Sequence, residues 1–170
     1  MIYSISPLNL KKWIAEHRSL LKPPLGNQAI FENNDCVVMA VGGPNVRSDY
    51  HINPTPEFFY QVEGEMLLQI VENGRFSQIS IGEGEIFLLS AGIPHSPQRY
   101  ENTVGVVVEQ KRPIGSRDTL VWYCENCHQE LYRESFELNQ FDFSAKLKPI
   151  MNHFWEDKQL RTCSNCGTVQ

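Results

Sequence analysis

The sequence predicts an all-β protein: a small barrel or sandwich of antiparallel strands, led by one N-terminal helix and followed by a small metal-stapled extension. Three observations predict it. Short runs rich in Val, Ile, Phe and Tyr succeed one another between about residues 35 and 111, with turn signals and no helices between them. One stretch near the N-terminus carries apolar residues at helical spacing. Two Cys-x2-Cys pairs stand near the C-terminus.

Taken in order, Ser6-Pro7 offers a helix cap and first helical position, and Leu10, Trp13, Ile14, His17 and Leu21 form the apolar stripe that follows. Lys22-Pro23-Pro24 stops it. His17 lies on the stripe and reads as a packed or half-exposed helix residue. Residues 36–41 read as a buried strand, which makes Cys36 an inert thiol with no assigned role. Strands are expected at 57–62 and 65–71. Asn73-Gly74 then turns the chain into 75–81, and Gly82-Glu83-Gly84 turns it into 85–89. Residues 104–109 form a strongly β-branched strand. Residues 112–118 read as a linker, 120–123 precede the first cysteine pair, 130–138 alternate like a strand, and 153–158 suggest a short helical turn. The expected division is a barrel with its N-terminal helix, 1–111, and a C-terminal extension, 112–170.

Composition excludes several function classes. A chain of 170 residues with 41% hydrophobic content suits one domain with a small appendage. The net charge of −5, with signs mixed throughout, gives no basic footprint for nucleic acid. No apolar run approaches the length of a membrane span. Met1-Ile2-Tyr3-Ser4 shows no charged and apolar leader pattern, so a cytoplasmic location is expected. In that reducing compartment, paired cysteines are read as metal ligands rather than disulfides.

The chemistry is carried by His51-x5-Glu57-x6-Gly64 and Gly84-x7-Gly92-x2-His95. Two histidines and one carboxylate leave part of an octahedral ion open, the ligand set of non-haem Fe(II) oxygenases, although zinc or manganese accept the same donors. The spacing resembles the cupin motifs, with Asn53 where a second histidine would stand, Ser90 replacing a proline and Arg99 replacing an asparagine. That resemblance implies a cupin double-stranded β-helix, a jelly-roll barrel with the ligands at its mouth.

Longer segments are more specific. Leu21-Lys22-Pro23-Pro24-x-Gly26-Asn27, Val41-Gly42-Gly43-Pro44-Asn45-x-Arg47, Asp49-Tyr50-His51, Glu57-Phe58-Phe59-Tyr60-Gln61, His95-Ser96-Pro97-Gln98-Arg99 and Trp122-Tyr123-Cys124-x2-Cys127 resemble the 3-hydroxyanthranilate 3,4-dioxygenase family, in its microbial form with C-terminal cysteine pairs. The departure at Ile52-Asn53 lies outside the ligand positions. The resemblance implies an Fe(II)-dependent extradiol enzyme and a homodimer. It would open the ring of 3-hydroxyanthranilate with O2 to give 2-amino-3-carboxymuconate semialdehyde, which cyclises to quinolinate, a precursor of NAD.

Residue roles follow from the substrate's groups. Arg99, four residues beyond His95 and so on the same strand face, suits the carboxylate. Arg47, four residues before His51, is placed by the resemblance beside dioxygen, where a cation stabilises developing negative charge. Glu109 could accept a proton from the substrate amine or hydroxyl, or form a surface ion pair with Lys111 or Arg112; the resemblance favours the first. Glu57 would meet the substrate as well as the metal. Phe59 shares its strand face and could stack on the ring or belong to the core.

Cys124-x2-Cys127-x35-Cys163-x2-Cys166-Gly167 reads as a closed four-thiolate site for a second iron or a zinc, rubredoxin-like in shape, that staples a tail too small for its own core. Cys124-x2-Cys127-His128 also matches a haem attachment pattern. The visible lack of a leader and the second cysteine pair argue against haem, which leaves His128 and His153 without metal duty. Two further readings of the whole remain: a cupin oxygenase or isomerase for another small acid, and a non-catalytic metal-binding cupin.

Overall fold

The computed structural model describes residues 6–23, 26–45, 47–138 and 143–170. Met1–Ser4, read for a leader, and Pro24 in the helix stop lie outside them. Among the described residues eleven strands form two antiparallel sheets. The first runs β1 (Asn27–Glu32), β2 (Cys36–Gly42), β9 (Val104–Gln110), β4 (Glu57–Glu63), β7 (Ile86–Leu89). The second runs β11 (Glu130–Phe136), β10 (Asp118–Tyr123), β3 (Asp49–Ile52), β8 (His95–Arg99), β5 (Met66–Glu72), β6 (Arg75–Ile81).

The pairings explain the barrel. β2 pairs with β9, β3 with β8, β4 with β7 and β5 with β6. This is one long hairpin rolled into a jelly roll, the double-stranded β-helix that the sequence predicts. Its tip is Asn73-Gly74, both at positive φ (51° and 74°), between the paired Glu72 and Arg75. That two-residue turn matches the twist of the flanking strands. Phe59, Met66, Leu68, Ile70, Ile81, Leu89 and Val107 fill the space between the sheets.

The N-terminal helix α1 (Leu10–His17) continues as a 3-10 turn, Arg18–Leu21. Its cap is Asn9, whose side chain accepts from the Lys12 amide at 3.0 Å, rather than Ser6. Both residue types cap well, and the apolar stripe starts directly after Asn9. Ile14 and Leu21 pack on Ala40 and Val104 and cover part of the first sheet. His17 stacks on Trp13, with ring centroids 4.3 Å apart. Cys36, expected to be buried, is half-buried at the start of β2.

Beyond residue 111 the chain joins the barrel before it reaches the thiols. β10 pairs with β3, placing Leu120 opposite His51, and β11 pairs with β10. The short turn expected near 153–158 is part of a longer helix, α2 (Phe143–Glu156), followed by α3 (Lys158–Arg161). Leu147, Ile150 and Phe154, at helical spacing, pack on Leu120, Trp122 and Phe136. Phe154 stacks on Trp122 at 4.5 Å. This packing carries the helix through Pro149, whose missing amide costs one backbone bond. No helix among the described residues is long and apolar enough to cross a membrane.

Candidate active site

Strand register assembles the site. β3 meets β8 with His51 opposite His95, and β4 meets β9 with Glu57 opposite Glu109. His51, Glu57 and His95 are all buried, and their ligand atoms lie within 4.8 Å of one another. Glu57 Oε1 is 3.7 Å from His51 Nδ1 and 3.3 Å from His95 Nε2. An ion with bonds of about 2.1 Å sets adjacent ligands about 3 Å apart, so these donors fit a metal with little movement.

Burial works against the Glu57 carboxylate, but His95, with His51 and Asn53 behind it, outweighs burial and holds the group well below the ordinary carboxylate range. Burial also lowers His51 despite Asp118, whereas at His95 the pull of Glu57 overcomes burial and raises the group. Asn53, in the place of the second cupin histidine, donates from Nδ2 to Glu57 Oε1 at 2.7 Å. It orients a candidate ligand and is not itself among the clustered donors.

A cavity of about 100 Å³ opens over the triad, lined by Met39, Val41, Phe59, Val107, Arg47, Arg99 and Glu109 among others. Phe59 is a buried core residue that also walls this cavity, edge-on to His95 at 6.4 Å. A larger groove, about 610 Å³, runs past Tyr50, Phe76, Tyr123 and His128 and shares only Arg47 with the first.

Strand alternation puts Arg99 on the face of His95, as expected, and both are buried. Pro97 is accommodated without a register shift: it stands opposite Leu68, and its carbonyl accepts from Asn45. Gln61 Oε1 is 3.4 Å from Arg99 Nη1, and no carboxylate forms an ion pair with Arg99 among the described residues. Burial pulls its guanidinium down to about 10, with Glu57 opposing. Gly105, opposite Gln61, makes this placement possible, since a Cβ there would come within 2.7 Å of Arg99 Nη1.

Arg47 is half-buried against the buried Asp49, which it grips through Nε at 3.2 Å and through Nη2. Glu109 does pair with Arg112, at 2.8 Å, yet the pair is buried and not on the surface. Burial and the Glu57 charge push Glu109 up to about 7, while Arg112 pulls it down. The sequence carries no local sign of the parts played by Asp118, Thr55 and Gln61; Arg112 is visible there only as a surface partner of Glu109, and Asn53 only as the residue standing where a second histidine would.

The second cluster is also assembled. Cys124 and Cys166 have Sγ atoms 3.6 Å apart, and Cys127 and Cys163 3.5 Å apart. Bonds of about 2.3 Å in a tetrahedron give an edge near 3.8 Å, so four thiolates fit one ion. The two knuckles repeat one backbone pattern: Cys124 and Cys163 amides donate to Gln129 and Thr168 carbonyls, and His128 and Gly167 amides donate back to the cysteine carbonyls. His128 stacks on Phe76 at 4.0 Å, and His153 meets Tyr132, so neither joins a metal cluster.

Comparison with known proteins identifies the family. The profile of the 3-hydroxyanthranilic acid dioxygenase family matches residues 2–155. A 3-hydroxyanthranilate 3,4-dioxygenase of Yarrowia lipolytica is 50% identical over 165 residues, covering 96% of this chain and 95% of its own. Those of Neurospora crassa and Ruegeria pomeroyi are 48% and 46% identical, covering 96% and 97% of this chain and 89% and 91% of theirs. A cupin-2 domain containing protein from Shewanella frigidimarina aligns over 58% of this chain and 92% of its own, at 20% identity and a TM-score of 0.49. With a family match over nearly its whole length and relatives near half identity, the chain belongs to the 3-hydroxyanthranilic acid dioxygenase family.

Proposed function

We propose that this chain opens the ring of 3-hydroxyanthranilate with O2, yielding 2-amino-3-carboxymuconate semialdehyde, and that His51, Glu57 and His95 hold the Fe(II) it uses. The observation that carries the reading is Arg99: a buried guanidinium with no ion-pair partner among the described residues, on the same strand face as a metal ligand and in the same cavity. A buried charge is costly unless something pairs with it, and a substrate carboxylate does so in a two-pronged fork.

Fe(II), when bound, supplies the open coordination and redox capacity that bring an aminophenol and dioxygen together. The chain's own groups supply the rest. Arg99 fixes the carboxylate and so the angle of the ring. Met39, Val41, Phe59 and Val107 enclose the ring and exclude water. Glu57, as part of the cavity wall, meets the substrate as well as the metal. Glu109, held near neutrality, accepts a proton from the hydroxyl or amine. Arg47, locked by Asp49, offers positive charge where dioxygen accumulates electrons. Both oxygen atoms stay in the product, which cyclises to quinolinate without the enzyme.

The four cysteines take a second iron or a zinc with a structural duty, and the cytoplasm keeps these thiols reduced. A second copy of the chain covers the outer face of the first sheet. There Leu88, Phe58, Val108, Val38 and Phe31 stand side by side across all five strands, with Leu88 65% exposed and Ile86 66% exposed beside them.

The test is oxygen uptake by protein reloaded anaerobically with Fe(II), on addition of 3-hydroxyanthranilate, with His51→Ala as control. The reading expects one O2 per substrate and a semialdehyde that decays to quinolinate, both absent in the variant. No uptake by iron-replete protein overturns it.

A further inference from the structure

We infer that Asp118, gripped by Arg112, is the positioning residue that presents His51 to the metal through Nδ1, and that the pair orients Glu57 as well. The inference rests on His51, Glu57 and His95 forming a metal centre.

The two histidines face Glu57 with different nitrogens. His95 offers Nε2, and its Nδ1 rests on the Ile93 carbonyl at 3.0 Å, an acceptor from its own loop. His51 offers Nδ1, and its Nε2 is 2.7 Å from Asp118 Oδ2, an acceptor 67 residues away. An imidazole that donates Nε2–H to a carboxylate keeps its lone pair on Nδ1. Asp118 therefore selects both the tautomer and the ring angle.

Asp118 is fully buried and is itself held. Arg112 Nε donates to Oδ1 at 3.0 Å, and Nη2 donates to Oδ2 at 2.9 Å. The remaining guanidinium contacts extend the arrangement. Nη1 donates to Thr55 Oγ1 at 3.3 Å and to the Gln110 carbonyl at 3.2 Å, and Nη2 reaches Glu109 at 2.8 Å. Thr55 Oγ1 donates to Asn53 Oδ1 at 2.8 Å, and Asn53 Nδ2 donates to Glu57 Oε1 at 2.7 Å. A continuous buried chain thus runs His51–Asp118–Arg112–Thr55–Asn53–Glu57, with its ends on two of the three proposed ligands. Arg112 is the hub, and it also grips Glu109. Arg112 lies in the connection between β9 and β10, and Asp118 is the first residue of β10.

Mn(II), an ion of oxygen and nitrogen sites rather than thiolate sites, is the probe; its dissociation constant is read by electron paramagnetic resonance. Nitrogen-15 spectra of the metal-free protein report the His51 tautomer independently of activity. Asp118→Ala is expected to weaken Mn(II) binding about 10–100-fold and to release His51 from a pure Nε2–H form. Asp118→Asn, which keeps an oxygen toward His51, is expected to restore most of the affinity. Should the unpaired Arg112 prevent Asp118→Ala from folding, Asp118→Ala/Arg112→Met removes both charges and carries the same expectation. Folded Asp118→Ala, or that double variant, with Mn(II) affinity within about twofold of the parent overturns the inference. So does a parent protein whose His51 carries its proton on Nδ1. Equal Mn(II) binding by the parent and His51→Ala would instead overturn the metal centre on which the inference rests.

Discussion

Replacing Arg99 by methionine is expected to weaken substrate capture and strengthen the fold. The side chain is 3% exposed and lacks an ion-pair partner among the described residues. Holding its pKa at about 10, against an ordinary 12.5, corresponds to about 3 kcal/mol directed against the charged form. Methionine fills similar volume without the charge, so that figure is a ceiling on the gain. For a domain of this size it raises the melting temperature of the metal-free protein by up to about 10 °C. With substrate the sign reverses. Two charge-assisted hydrogen bonds to a carboxylate contribute about 1.5–3 kcal/mol each, so kcat/KM for 3-hydroxyanthranilate falls about 10²- to 10⁴-fold. The assay is oxygen uptake with two substrates, 3-hydroxyanthranilate and 2-aminophenol, which lacks the carboxylate. The reasoning requires the variant's deficit to shrink to within about tenfold on 2-aminophenol, because the lost partner is absent from both sides of the comparison. An equal loss on both substrates, or a lower melting temperature, refutes it.

Four further outcomes are expected. Gly105→Ala places a Cβ within 2.7 Å of Arg99 Nη1 and 2.9 Å of Gln61 Oε1, so it should raise KM for 3-hydroxyanthranilate more than for 2-aminophenol while the barrel stays folded by circular dichroism. Glu109 must be ionised to accept a proton, and its pKa is raised to about 7; kcat/KM should therefore fall as pH drops through that value, and Arg112→Met, by removing the group that pulls Glu109 down, should move this limb to higher pH. Cys127→Ser/Cys166→Ser, or chelation of the thiol-bound ion, should make residues 124–170 sensitive to protease while Fe(II)-reloaded protein keeps most of its turnover. Ile86→Lys/Leu88→Lys should convert a sedimenting dimer to monomer at unchanged melting of the metal-free chain.

What the sequence made legible was what repeats or what is local. β4, β5 and β9 announce themselves by β-branched and aromatic runs, and Asn73-Gly74 fixes one hairpin register. The cluster of His51, Glu57 and His95, the proposed ligands, follows from spacing, because a rolled hairpin brings fixed sequence offsets to one end of the barrel. Arg99 followed from parity along β8. Asp118 and Gln61 escaped notice for one reason. Asp118 reaches His51 across 67 residues and Gln61 reaches Arg99 across 38, so no window of sequence contains the contact. Residues 112–118 carry Pro, Gly and Ser and read as a linker, yet its two charged ends form the bidentate contact behind His51. The turn expected at 153–158 catches only the end of α2; packing of Leu147, Ile150 and Phe154 on β10 and β11 shows why the helix is longer.

Pairing off the charges around the cavity points to what it receives. Arg47 is paired with Asp49, and Arg112 is shared between Glu109 and Asp118. Among the described residues Glu57 has two imidazoles and an amide beside it, and its ionised form is nonetheless strongly favoured. Arg99 has a neutral amide and no ion-pair partner among the described residues. One end of the cavity therefore holds a carboxylate without a permanent cation, and the other holds a cation without an anion. A buried site in that state is stabilised by a metal ion at Glu57 and an anion at Arg99, and destabilised by either alone less than by neither. Binding should accordingly be cooperative: with metal at Glu57, a substrate that carries both a carboxylate and metal-ligating groups meets Arg99 and the metal at once, whereas 2-aminophenol meets only the metal. Metal loading should tighten binding of 3-hydroxyanthranilate by a larger factor than binding of benzoate, which can meet Arg99 but cannot chelate. Calorimetric titration of metal-free and Mn(II)-loaded protein with the two ligands measures those factors, and equal factors would show that the two ends of the cavity act independently.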